Sequence, residues 1–211
     1  MTTTAAPQLD PGVEGNSRLT AVNGMTLLVL LAIEGVTVLD VRGMITLHVY
    51  LGALLVGPVL LKTASTGYRF VRYYTGARPY REKGPPHLVL RMLGPVVILS
   101  TLAVLGTGLG LIAVGPDHRE PLLTLHKASF VVWFVATSLH VLGHVLDGAH
   151  TTWRELRDPH AAPVARRRRA RSLVIALSLI AGVGLATALL PAAHGWTTQR
   201  SDQPVQDGGN H

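Results

Sequence analysis

Apolar residues gather into five runs, at about 20–40, 44–66, 88–114, 122–148 and 172–193, separated by polar links. A helix crosses the hydrocarbon core of a bilayer in roughly 20 mostly apolar residues, and each run is near that length. The pattern therefore predicts an all-α, integral membrane helical bundle with five transmembrane helices, occupying residues 18–194. The flanking stretches, 1–17 and 195–211, are polar and read as disordered tails, and the first lacks the basic start and apolar core of a secretory signal. The second run is expected to continue beyond the membrane into "TGYRFVRYYTG", whose tyrosines and arginines suit the headgroup region, and to end at Gly76.

Composition supports the membrane reading: 48% of residues are hydrophobic and 15% are charged, against about 25% in soluble domains. The net charge of +7 raises nucleic acid as a partner. The basic residues, however, lie between the apolar runs, where topology accounts for them, and nucleic-acid binding is not expected. Fourteen of the 19 Lys and Arg residues fall in two links, 62–91 and 154–171. By the positive-inside rule those links face the cytoplasm, so the N-terminus is cytoplasmic in a multi-pass protein of the cell membrane. The run "RRRRAR" reads as part of that topology signal. With no cysteine in the chain, disulfides, thiolate metal sites and C-x-x-C-H haem attachment are excluded, which leaves His, Met and oxygen as ligands.

The candidate chemistry lies in the histidines of the apolar runs, since ionisable groups inside a membrane are costly and mark functional sites by default. His48 stands four residues into the second run and His126 four into the fourth. Both runs start on the outer side, so the two rings share a depth of roughly 6 Å. Fourteen residues after His126 comes His140, about 21 Å along the helix and about 40° around it, and His144 follows one turn later. His87 begins the third run at the inner edge and is the expected partner of His140 or His144. An outer site and an inner site are thus predicted. Two imidazoles on facing helices suit the two axial positions of haem b better than zinc, which takes three or four protein ligands.

These residues resemble the membrane b-type cytochromes, in the broad sense of the cytochrome b561 and quinol-linked cytochrome b families. The resemblance rests on His126 and His140 in "HKASFVVWFVATSLH", an H-x13-H spacing, with His48 in "LHVYLGALL" on another helix, and it covers the second to fourth runs. It implies one or two non-covalent haems b, with His48, His126, His140 and His87 as iron ligands, and electron transfer within or across the membrane to or from a quinone or a redox partner. A departure is that the residue 14 after His48 is Lys62, where the quinol-linked members have a second H-x13-H helix. Glu34, near the level of His48 and His126, is expected to orient a ligating histidine or to carry protons. Arg42 and Lys127 near the outer site, and Arg91 near the inner one, are candidates for haem propionates, although snorkelling to the interface explains each without a ligand.

No nucleotide-binding fingerprint occurs in a strand–helix context, so a reductase activity requires a partner. The rival expectation is a haem-free protein, either a proton-linked transporter using Glu34 and the histidines as a relay or an accessory subunit of a membrane complex.

Overall fold

The structure is a computed structural model that describes residues 10–82, 88–157 and 162–198. These form helices α1 (Pro11–Leu39), α2 (Ile45–Tyr74), α3 (Arg78–Glu82), α4 (Leu88–Val114), α5 (Glu120–Arg157) and α6 (Ala162–Thr198), with a 3-10 turn at Pro116–His118. Among the described residues there is no strand. Five of the helices, α1, α2, α4, α5 and α6, are long and apolar enough to cross a membrane.

Helix ends follow local chemistry. Asp10 caps α1: its carboxylate accepts from the backbone N–H of Gly12 at 2.8 Å and of Val13 at 3.3 Å, with Pro11 preset for the first helical position. The helix thus starts seven residues before the expected boundary at 18, a correction that the "LDPG" cap signal explains. At the other end α6 runs from Ala162 to Thr198, longer in both directions than the apolar run at 172–193. Helical hydrogen bonding there extends beyond the apolar stretch into its polar flanks. α2 continues through the aromatic stretch to Tyr74 as expected, and Gly76 ends it with a left-handed φ of 83° that an L side chain rarely adopts.

α2 is the hub, packed against α1, α4 and most closely α6, while α4 and α5 form the other tight pair. Pro58 inside α2 has no N–H to give to the Leu54 carbonyl. That carbonyl lies against α6 at Gly182, where a Cβ would collide with it. The contact is reciprocated, because a Cβ at Gly57 would collide with the Ser178 carbonyl. Two backbones meet here only because both residues lack side chains, the small-residue packing usual between helices in lipid. The fully buried Asn23 donates from Nδ2 to the Pro58 carbonyl at 2.8 Å and ties α1 to the next turn of α2.

The core is slight. Leu27, Leu55 and Val59 form one cluster and Ala53, Leu54 and Ala186 another. Large apolar side chains instead point outwards, among them Val131, Phe134, Leu139 and Leu142 on α5, the last 75% exposed. Such faces are what a multi-pass membrane protein presents to lipid. Below the spans, α3 turns Tyr80 inwards against Tyr68, with ring centroids 6.0 Å apart. Burial, and then the Tyr68 phenol, push the Tyr80 hydroxyl above its ordinary pKa.

Candidate functional site

α1, α2, α4 and α5 line a mostly apolar, half-open cavity of about 850 Å³. Its polar lining falls at two levels, one around His48 and one around Lys62.

At the His48 level, α2 contributes His48 from its first turn and α5 contributes His126. Their ring centroids are 6.4 Å apart and their planes are inclined at 79°. The sequence expectation that these two histidines share a level is met. Each ring is fixed through Nδ1. For His48 the Nδ1 lies 2.7 Å from Glu34 Oε1, and 3.0 Å from the hydroxyl of Thr37. Thr37 is in turn tied to α1, its hydroxyl donating to the Glu34 carbonyl at 2.6 Å. For His126 the Nδ1 lies 3.0 Å from the Thr107 hydroxyl of α4, with the Val104 carbonyl a further polar neighbour. Thr107 also donates to the Ala103 carbonyl at 2.7 Å, which sets its rotamer. Gly108 makes room for the ring, since a Cβ there would stand 3.2 Å from His126 Cε1. Two helices, α1 and α4, therefore anchor the imidazoles of α2 and α5 by one nitrogen each.

The fit of this pair to a shared metal can be tested. Imidazole nitrogens bind metals at about 2 Å, so two rings on opposite sides of one ion have centroids roughly 6 Å apart. The observed separation matches that distance. Metal-bound histidines almost always engage a carboxylate, carbonyl or hydroxyl through the other ring nitrogen, as both rings do here. A cavity of about 850 Å³ is also within the 300–1,000 Å³ common for ligand sites. Among the described residues no three His, Asp or Glu side chains form a metal-binding group, and two imidazoles from different helices are what this level would present to a cofactor.

The Lys62 level is differently built. His140 and His144 lie one turn apart on α5 with ring centroids 4.8 Å apart, and both line the cavity. Neighbours on one helix cannot take opposite faces of a flat cofactor. The facing position on α2 is Lys62, whose Nζ donates to the Thr20 carbonyl of α1 at 2.7 Å. Gly24 leaves space for it, as a Cβ there would stand 2.9 Å from Nζ. Two buried polar atoms, His140 Nδ1 and Thr137 Oγ1, have no hydrogen-bond partner among the described residues. The expected partner His87 lies outside the described residues.

No match was found among family models, curated proteins or solved structures.

The remaining predicted residues divide by position. Arg42 and Lys127 are exposed and do not line the cavity. Arg91 lines it at the end remote from His48, where it donates to the Tyr74 hydroxyl and its guanidinium lies 5.5 Å from the centre of that ring. Between the two levels, Trp133 lines the cavity and donates to the Thr101 hydroxyl at 3.0 Å, whereas Phe134 points outwards. Sequence reasoning missed Thr37 and Thr107. Thr37 was open to discovery, being one turn after Glu34 on the same face. Thr107 comes from a helix with no local link to His126, and no short-range signal marks it.

Proposed function

We propose that this chain is a haem b-binding cytochrome of the cell membrane, in which His48 and His126 would hold one haem. The observation that carries the reading is the pair itself. Two imidazoles from different helices stand 6.4 Å apart on a shared cavity, and their Nδ1 atoms are held by Glu34, Thr37 and Thr107. Haem supplies reversible one-electron chemistry when bound, and the protein tunes it by ligation, burial and charge. Glu34 and Thr37 orient the His48 ring and keep its electron density high through Nδ1. Thr107 does the same for His126 with a neutral hydroxyl, a weaker partner than a carboxylate. Apolar residues such as Leu105 and Leu109 line the same cavity as the rings.

In the bilayer, the Arg-rich ends of α2 and α6 face the cytoplasm by the positive-inside rule, which puts the His48 level near the outer surface and the N-terminus inside. Electrons are then exchanged near the outer face with a quinone or a protein redox partner. The described residues support one haem per chain and lend no second histidine to His140 from another helix, so the reading does not include a two-haem wire.

Absorbance tests this. The full chain, expressed with haem available and purified in mild detergent, is expected to show a Soret band and a dithionite-reduced α band of a low-spin haem b. A folded preparation without those bands overturns the reading.

The Glu34–His48 contact supports one other reading, since a carboxylate against an imidazole within a span is also what a proton relay requires. Proton uptake into vesicles that disappears in Glu34→Gln, together with an absent haem spectrum, would favour it.

A further inference from the structure

Among the described residues, the end of the cavity remote from His48 is cationic. Lys62, Arg69 and Arg91 line it, and the one carboxylate of the described lining, Glu34, belongs to the other end. None of these three cations forms an ion pair among the described residues. Lys62 uses one N–H on the Thr20 carbonyl, which leaves two of its three donors for another acceptor. Deeper on α5, His140 Nδ1 and Thr137 Oγ1 are buried without hydrogen-bond partners among the described residues. Orphaned buried polar atoms are rare in native structures and call for an explanation. Here they lie beside unpaired cations and an apolar lining, and Tyr73 and Tyr74 stand at the same end.

A ligand that answers all of these features has a negative head, neutral oxygens just behind it, and an apolar body. We propose that this end of the cavity binds one anionic phospholipid of the adjoining leaflet. Its anionic headgroup lies along the stretch lined by Lys62, Arg69 and Arg91, its glycerol ester oxygens meet Thr137 and His140, and an acyl chain lies along the apolar wall. Charge complementarity selects the lipid: a zwitterionic headgroup brings its own cation towards three others, whereas an anionic one does not. The proposal stands independently of the haem, because it uses the other level of the cavity.

The test is a titration of delipidated, detergent-purified full chain with dioleoylphosphatidylglycerol, dioleoylphosphatidylcholine or inorganic phosphate, read by native mass spectrometry and by thermal unfolding. Phosphatidylglycerol is expected to bind at one site per chain and raise the unfolding temperature, with at least about tenfold weaker binding of phosphatidylcholine. The double variant Lys62→Gln, Arg91→Gln should lose phosphatidylglycerol affinity by about tenfold or more while keeping its helical circular dichroism and the absorbance of the His48 level. If that variant does not fold, Arg69→Gln alone is expected to weaken the lipid severalfold. Equal binding of the two lipids, equal stabilisation by phosphate alone, or affinity unchanged in variants that fold would each overturn the proposal. So would a co-purified quinone at this site that phosphatidylglycerol does not displace, or a second haem that depends on Lys62.

Discussion

The two levels of the cavity are built on the same pair of helices at the same spacing. On α2, His48 and Lys62 are 14 residues apart, and on α5, His126 and His140 are 14 residues apart. At the first level both rings are anchored by Nδ1 and face each other across the helix pair. At the second, an ammonium stands where the first has an imidazole, and His140 Nδ1 has no hydrogen-bond partner among the described residues. The side chain at position 62 is thus the main difference between the two levels: an imidazole partner at the first, an ammonium at the second. Spacing alone makes the levels alike; what each side chain donates and accepts makes them different.

The comparison is broken most severely by making the first level resemble the second. His48→Lys should reduce haem per chain to below about a tenth of wild type, since removing an iron ligand also leaves Glu34 facing an ammonium it will pair with. Pyridine haemochrome assay reads the loss, and circular dichroism confirms that the helices persist. A smaller change removes only the anchor. Glu34→Gln keeps a hydrogen-bond partner for His48 but deletes the charge, and should weaken haem affinity by about 10–100-fold in apoprotein titrations. Gly182→Val should act on the shared frame, forcing α6 away from the Leu54 carbonyl. The cost is about 1–3 kcal/mol of stability, seen as a lower unfolding temperature with both levels affected alike. The smallest effect is expected from Thr107→Val. Loss of a hydrogen bond worth about 1 kcal/mol to one oxidation state moves a one-electron potential by about 40 mV, measurable by redox titration while haem content stays near one per chain.

Much of the fold was legible because lipid demands long apolar runs, and five such runs of bilayer length are hard to read otherwise. The depth argument that paired His48 with His126 worked for a related reason: helical rise converts position into height once the direction of each run is known. It could not see sideways. Thr107 reaches His126 from α4, and Asn23 reaches Pro58 from α1, through helix packing that no local pattern encodes. The start of α1 was misplaced because its first turn is polar, and hydropathy ends before the helix does, although Asp10 followed by Pro11 is an N-terminal signal in its own right. At the Lys62 level, the lysine stood out in the sequence as a departure from the histidine pattern, while the hydroxyl of Thr137, without a partner among the described residues, became visible only with the chain folded.

The most direct test of the central claim is haem stoichiometry in two matched variants, His126→Ala and His140→Ala, measured by pyridine haemochrome on purified protein of verified helicity. The account predicts close to one haem b per chain in the wild type and in His140→Ala, and almost none in His126→Ala. Haem retained in His126→Ala, or lost in His140→Ala, would contradict it.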